Sequence, residues 1–167
     1  MQTDYSPFFR DIESDSGTNL LATCRSLGIT VVAAMPLNRG LITSSFAAAE
    51  PMNANDTRVK SIPRFSEDNI EKNREVMGKF QELADKAGCT VSQLALAWLL
   101  KQGEDVVPIP GTKRVGFLEE NWSAQEIVVT DELEREIREF VEGAAIAGDV
   151  VPPQFKSYYY GDAVEEK

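Results

Sequence analysis

A strand-to-helix junction at residues 109–114 contains the residue types that bind phosphate. Its sequence, Ile-Pro-Gly-Thr-Lys-Arg, places a glycine and a hydroxyl beside two positive charges, Lys113 and Arg114. Backbone N–H groups at a helix N-terminus attract anions, whereas cations at that position oppose the helix dipole. A phosphate bound by Gly111, Thr112 and the two cations would offset that opposition. The alternative is a solvated helix start, and the pattern alone leaves both open.

Two weaker candidates belong to the other predicted strands. Residues 36–40 (Pro-Leu-Asn-Arg-Gly) follow an apolar run, and the Arg39 guanidinium with the Gly40 backbone would suit a phosphate. Gln2 offers both an amide donor and an acceptor, which is the pattern that holds a carboxamide. A solvated turn and an ordinary polar strand residue are the commoner interpretations of these two features.

No group of residues in the sequence has the spacing of a catalytic centre. Asp4 and Tyr5 end the first predicted strand, but no lysine or histidine lies beside them. The chain contains no histidine. Ser-His-Asp triads, Cys-His dyads and zinc sites with a histidine ligand are therefore excluded. Neither a GxxxxGK loop nor a GxGxxG motif is present. We predict an anion site, no metal, and no catalytic constellation.

Composition restricts the partners of this protein. The 167 residues include 17 basic and 27 acidic side chains, which gives a net charge of -10. Nucleic acids and anionic membranes repel such a chain, so neither is an expected partner. No apolar run spans a bilayer and no signal peptide is visible. Cys24 and Cys89 lie in apolar helical patterns, which indicates reduced thiols and a cytoplasmic protein.

Strands and helices alternate along the sequence. Strands are predicted at residues 2–5, 29–34 and 105–109, and a short helix at 114–122. Further helices begin after Thr18, Ser66, Thr90 and Thr130, and residues 43–63 form a long surface excursion without a clear period. Alternation of this kind predicts an α/β fold with a parallel sheet. The pattern leaves open a small open sheet and a piece of a (β/α)8 (TIM) barrel.

Several segments resemble, in order and spacing, the aldo-keto reductase family. They are residues 2–8 (Gln-Thr-Asp-Tyr-Ser-Pro-Phe), 20–29, 36–43, 63–65, 94–100, 107–114 and 118–121. The resemblance implies a partial (β/α)8 barrel in which residues 1–167 form the C-terminal half of the reductase domain. The three strands would be strands six to eight, and residues 131–143 the additional helix outside the barrel.

The resemblance also implies a site for NADPH. Gln2 matches the residue at the nicotinamide carboxamide, and Pro36, Leu37, Arg39 and Gly40 match the loop along the pyrophosphate. The residues matching the segment at the adenosine 2′-phosphate are Gly111, Thr112, Lys113 and Arg114, and those matching the pair near the adenine are Glu120 and Asn121. The implied reaction is hydride transfer from NADPH to an aldehyde or ketone.

Three departures from the family pattern bear on function. The catalytic Asp, Tyr, Lys and His of the family belong to the N-terminal half and have no counterpart here. Ala34 and Met35 replace the Tyr-Ser that commonly precedes the loop after strand seven, so the ring that stacks on the nicotinamide is missing. Asn38 stands where glycine is common. The resemblance thus predicts an oxidoreductase half that is inactive alone.

Three interpretations stay open at this level. The chain is a truncated piece of a reductase, a short non-catalytic half-barrel that binds nucleotide or a partner chain, or a reductase completed by a separate N-terminal half. Three parallel strands leave two open sheet edges, so we predict poor solubility or dependence on a partner chain. The aromatic residues Tyr158, Tyr159 and Tyr160 resemble the C-terminal segment beside the pocket for a small carbonyl substrate, and simple packing of an aromatic tail is the alternative.

Overall fold

The computed structural model describes residues 1–14, 16–53 and 55–155, so the predicted pocket segment at Tyr158, Tyr159 and Tyr160 lies outside the described residues. Within them, three short parallel strands form one sheet in the order β1-β2-β3: β1 (Gln2–Asp4), β2 (Val31–Ala34) and β3 (Val106–Pro108). Asp4 pairs with Ala34, and Ala33 pairs with Pro108. The predicted α/β fold and its three strands are confirmed, each strand one or two residues shorter than predicted.

Seven helices surround this sheet in the described part of the chain. They are α1 (Leu20–Ser26), α2 (Ser44–Ala47), α3 (Thr57–Ser61), α4 (Glu67–Lys86), α5 (Val91–Lys101), α6 (Val115–Ser123) and α7 (Asp131–Gly143), with 3-10 turns at Asn38–Gly40, Pro63–Phe65, Ala124–Glu126 and Pro153–Phe155. Thr90 forms a capping box with Gln93, and the Thr130 hydroxyl accepts from the Leu133 N–H. None of the described helices combines the length and apolarity needed to cross a bilayer.

Two expectations about local structure were wrong. Thr18 does not cap α1, because its N–H and hydroxyl both donate to the Asp11 carbonyl, and Asn19 in a left-handed conformation precedes the helix instead. The excursion at 43–63 is not without regular structure, since it contains α2 and α3 and buries Phe46. Helices of four and five residues are too short to show a period in sequence.

Tyr5 belongs to the core and not to a reactive site. Its ring is fully buried against Trp98, with centroids 5.7 Å apart, and its hydroxyl donates to Glu13 Oε1 at 2.6 Å. Glu13 Oε2 in turn accepts from Arg138 of α7 at 2.9 Å. Burial, with the neighbouring carboxylate, raises the pKa of Tyr5 above its ordinary value of 10.0. The residue therefore ties the end of β1 to α7 and is not available as a proton donor.

Large apolar side chains of β3 and α6 are exposed to solvent. Strand β3 lies at an edge of the sheet, and Val107 is 45% exposed. Helix α6 buries none of its residues, and Val115, Leu118 and Trp122 are 71%, 57% and 71% exposed along it. We call these four residues the open face. Large apolar side chains that are exposed in this way are candidates for an interaction site.

Candidate functional site: a groove at the strand ends

The carboxyl ends of β2 and β3 open onto one groove of about 880 Å³. Its two walls are the loop after β2 (residues 35–40, the β2 loop) with the segment that follows it, and the loop after β3 (residues 109–114, the β3 loop) with α6. This is the edge at which ligands gather in parallel α/β folds. Ten of the predicted residues line it: Pro36, Leu37, Arg39, Gly40, Gly111, Thr112, Lys113, Arg114, Glu120 and Asn121.

Gln2 does not belong to this set. It lies in the edge strand β1 opposite Val32, its side chain is exposed, and it is not part of the groove lining. Strand β2 separates it from the β3 loop in the sheet order. The predicted contact of Gln2 with a carboxamide stays a prediction.

The groove concentrates unpaired positive charge. Four cationic side chains line it, among them Arg39, Lys113 and Arg114, against the carboxylates of Glu50, Asp56 and Glu120. Arg39, Lys113 and Arg114 make no ion pair with any residue that the structure describes, whereas Asp56 is neutralised by the fourth cation, Arg58, at 2.6 Å. In a chain of net charge -10, this local concentration of cations would suit an anion.

The β3 loop is open to a ligand. Arg114 is the N-cap of α6 and provides no side-chain cap, and the first turn contains no acidic residue. The N–H groups of that turn therefore have no intrahelical partner. The Thr112 hydroxyl oxygen accepts from the Arg114 N–H at 3.1 Å, which shapes the turn, and the Arg114 guanidinium lies 5.3 Å from the centre of the Phe117 ring. A side chain built on Gly111 would meet nothing within 4 Å.

The β2 loop is held by the chain itself. Asn38, Arg39 and Gly40 are consecutive left-handed residues, with φ of 51°, 59° and 86°. For an L-residue this conformation costs about 1–2 kcal/mol, less for asparagine. The Arg58 Nη1 donates to the Arg39 carbonyl at 2.8 Å. A Cβ on Gly40 would have to displace that same guanidinium, and the left-handed conformation of the residue also favours glycine.

Arg58 is itself held in place by Asp56 and Phe65. Its Nη2 and Nε donate to the Asp56 carboxylate at 2.6 Å and 3.0 Å, and its guanidinium lies 5.0 Å from the centre of the Phe65 ring. The hydrogen bond and charge of Arg58 lower the pKa of Asp56 below its ordinary value of 3.8. Sequence analysis missed this pair, since an Asp-Thr-Arg triplet in an aperiodic segment gives no signal of a contact 19 residues back.

Glu120 and Asn121 lie on the outer part of the β3 wall. Glu120 Oε1 accepts from the Thr90 hydroxyl at 2.6 Å, so this carboxylate is braced against the capping box of α5. Asn121 is half-buried and lines the groove. The brace fixes the direction in which Glu120 faces the groove, as a group that accepts a specific hydrogen bond requires.

The groove can bind phosphate groups, but its lining contains no evident acid–base pair. The residues that the structure describes include no cluster of three potential metal ligands. Burial raises the pKa of the Cys89 thiol to about 11, which disfavours the thiolate form that acts as a nucleophile. Unpaired cations, an uncapped helix start and a glycine facing open space together fit the phosphates of a dinucleotide.

The comparison with protein families decides the relationship. The family model described as the aldo/keto reductase family matches residues 1–142. The chain belongs to the aldo/keto reductase family. The aldo-keto reductase str7 of Strobilurus tenacellus is 42% identical over 149 residues, which are 89% of this chain and 44% of that protein. The aldo-keto reductase yakc of Schizosaccharomyces pombe, whose name carries the label NADP(+), is 39% identical over 162 residues, 97% of this chain and 47% of that protein.

Solved structures agree with this assignment. A thermostable aldo-keto reductase in complex with the inhibitor epalrestat is 29% identical, with a TM-score of 0.55 over 83% of this chain and 38% of that one. A glycerol dehydrogenase from Gluconobacter oxydans shares the fold, at 23% identity, with a TM-score of 0.70 over 99% of this chain and 44% of that one. The fold is thus a partial TIM barrel, and the chain spans less than half the length of the curated relatives it matches.

Proposed function

We propose that this chain, residues 1–167, is the cofactor-binding half of an NADPH-dependent aldo-keto reductase and is inactive alone. The observation that supports the proposal is the meeting of three unpaired cations, Arg39, Lys113 and Arg114, in one groove at the strand ends. A family relative whose name carries the label NADP(+) supports the choice of cofactor. When bound, NADPH would supply the hydride that reduces a small aldehyde or ketone to an alcohol.

The residues of the groove divide the cofactor between them in this proposal. Arg39, with Pro36, Leu37 and Gly40 of the β2 loop, binds the pyrophosphate. Gly111, Thr112, Lys113 and Arg114 bind the adenosine 2′-phosphate. Glu120 and Asn121 bind the adenine, and Gln2 orients the nicotinamide carboxamide. None of these side chains donates the proton to the carbonyl oxygen, so that step needs groups from an N-terminal half.

The preference for NADPH over NADH tests the proposed site. Only NADPH has the 2′-phosphate, and a charge-assisted hydrogen bond to it from Lys113 contributes about 1.5–3 kcal/mol. Lys113→Ala should therefore weaken the affinity for NADPH by about 10- to 150-fold and leave the affinity for NADH unchanged, as measured by nucleotide fluorescence titration. Lys79→Ala, an exposed lysine of α4, is the matched control. An unchanged NADPH/NADH affinity ratio in Lys113→Ala would contradict the assignment.

The open face supports a second candidate, a half-barrel that binds a partner chain. Val107 on the edge strand and Leu118 and Trp122 on α6 are exposed, and an edge strand pairs readily with another chain. The partner we propose is an N-terminal half of the reductase domain that supplies the proton donor. In both cases the protein acts in the cytoplasm, consistent with the free thiols of Cys24 and Cys89.

Turnover separates these possibilities. The purified 167-residue chain with NADPH and a simple aldehyde should show no steady oxidation of NADPH, followed by absorbance. Addition of an N-terminal half of a family relative should restore turnover if the open face binds that half, and Trp122→Asp should abolish the restored activity. Steady oxidation by the chain alone would refute inactivity. Nucleotide binding with no response to any N-terminal half would favour the non-catalytic binding module.

A further inference from the structure

We propose that Arg58 is a positioning residue that holds the β2 loop in the conformation in which Arg39 faces the groove. The inference rests on the proposed function, since it assigns the loop a nucleotide to bind. Arg58 belongs to α3, 19 residues after Arg39. It would thus act on the cofactor through another residue and not by its own contact.

The first support is the contact between the guanidinium and the loop backbone. Arg58 Nη1 donates to the Arg39 carbonyl at 2.8 Å, at the centre of the three left-handed residues. The space beside Gly40 is filled by the same guanidinium, so Arg58 packs against the loop as well as bonding to it. A strained conformation persists only where neighbouring groups hold it, and Arg58 is such a group.

The second support is that Arg58 is already fixed without a ligand. The Asp56 carboxylate accepts from both Nε and Nη2, and the Phe65 ring lies under the guanidinium at 5.0 Å. Asp56 also accepts from the Arg58 backbone N–H at 3.0 Å, which anchors the start of α3. A support that is rigid before binding lowers the entropy lost when the nucleotide arrives.

The third support distinguishes Arg58 from the groups that bind phosphate. Its charge is neutralised by Asp56 at 2.6 Å, whereas Arg39, Lys113 and Arg114 have no carboxylate partner among the described residues. Three of its N–H-bearing atoms are occupied by Asp56 and Arg39. Arg58 and Asp56 together add no net charge to the groove, so the loss of both side chains should not alter the salt dependence of binding.

The test is Arg58→Ala, measured in the ligand-free chain and with nucleotide. Hydrogen exchange at Gly40, Leu41 and Ile42, whose N–H groups donate to Leu37 and Asn38 carbonyls, should quicken by about tenfold or more without ligand. In the double variant Arg58→Ala/Asp56→Asn, which leaves no uncompensated carboxylate in the groove, the affinities for NADPH and NADH should fall by the same factor, about tenfold, the equivalent of one hydrogen bond to a charged group. The slope of affinity against salt should not change in that variant.

Arg25→Ala is the matched control. Arg25 also donates to a carboxylate and a backbone carbonyl, those of Asp105 and Gln102. These residues precede β3, at the amino end of the strand and away from the groove at its carboxyl end. It should leave exchange in the β2 loop and nucleotide affinity unchanged. Arg58→Lys, which keeps a donor for the Arg39 carbonyl but loses the fork to Asp56, should restore part of both. Should Arg58→Ala not fold, Asp56→Asn tests the same support by releasing Arg58.

Each outcome bears on one of the two proposals. Unchanged exchange at residues 40–42 in both Arg58→Ala and Asp56→Asn would overturn the role of Arg58. A changed NADPH/NADH ratio or a shallower salt slope in the double variant Arg58→Ala/Asp56→Asn would also overturn it, since Arg58 would then contact phosphate directly. If the wild-type chain bound neither nucleotide while exchange still quickened in the variants, the proposed function would fail and the positioning of the loop by Arg58 would stand.

Discussion

The two walls of the groove differ in how the chain supports them. The β2 loop adopts an unfavourable backbone conformation and is fixed by Arg58, Asp56 and Phe65 from within the chain. The β3 loop has an ordinary turn and an uncapped helix start, with Lys113 and Arg114 exposed. The shape of the β2 wall costs folding free energy before any ligand is present. The other wall leaves charges and N–H groups without partners in the chain, and so its stability should respond to a ligand.

This difference indicates how binding energy is distributed. A rigid loop gives specificity of position, because its donors do not rearrange on binding. An open cationic loop gives attraction, because its charges lose little from the chain when a phosphate arrives. Substitutions in the β2 wall should therefore change the stability of the free chain, and they should change the affinities for NADPH and NADH by the same factor. Substitutions in the β3 wall should change little in the free chain and should distinguish NADPH from NADH.

Two glycines test the contrast most directly. Gly40→Ala forces a Cβ into a left-handed residue and against the Arg58 guanidinium, so we expect the free energy of unfolding to fall by about 2 kcal/mol or more. Gly111→Ala adds a Cβ in open space and should change stability by less than about 0.5 kcal/mol. Urea denaturation measures both.

The same pair has a reciprocal expectation with ligand. Gly111→Ala places a methyl group where the cofactor would approach, so it should weaken NADPH although the free chain is unaffected. Equal losses of stability in the two variants would show that the walls do not differ as described.

Several features made by neighbours in sequence could be predicted, although the Thr18 cap was wrong and the Asp56–Arg58 pair was missed, and contacts between distant residues could not be predicted. The Thr90–Gln93 capping box and the Thr130 cap were visible because donor and acceptor are three residues apart. The cations of the β3 loop were visible for the same reason, since they adjoin a strand end. The contact of Arg58 with Arg39 was not, because the chain between them includes helices too short to reveal their direction.

The site was only partly predictable for a related reason. Ten residues predicted from the strand-end loops and from the family resemblance line one groove, because parallel strands bring their carboxyl ends to one edge. Gln2 lies in the edge strand β1, outside that groove. Nothing in the sequence around Gln2 indicates whether it lines the groove or lies outside it. The hydrogen-bond partners of side chains were equally unpredictable from sequence. The hydrogen bond that the Thr90 hydroxyl donates to Glu120 is an example.

Acid tests the fixed wall at the next level of effect. Because Arg58 lowers the pKa of Asp56, the ion pair stabilises the folded chain above the ordinary value of 3.8, and this is lost as pH falls through the lowered value. Asp56→Asn should remove about 1 kcal/mol near pH 6 and less near pH 3, measured by urea unfolding at both. Lys113→Gln on the other wall should retain the wild-type loss in acid. A difference between Asp56→Asn and wild type that is the same at both pH values would argue against the pair.

The smallest expected effect concerns the open wall without ligand. Lys113 precedes the uncapped start of α6, where a positive charge opposes the helix dipole by about 0.3–1 kcal/mol. Lys113→Gln should therefore raise the melting temperature of the free chain by about 1–2 °C at low salt, and the gain should vanish in about 1 M salt because the field is screened. Lys79→Gln, from an exposed position in the middle of α4, should show no gain. A variant that is stabler when free and weaker for NADPH is expected of a residue whose charge serves the ligand; a Lys113→Gln chain that is less stable than wild type would mean that the lysine serves the fold.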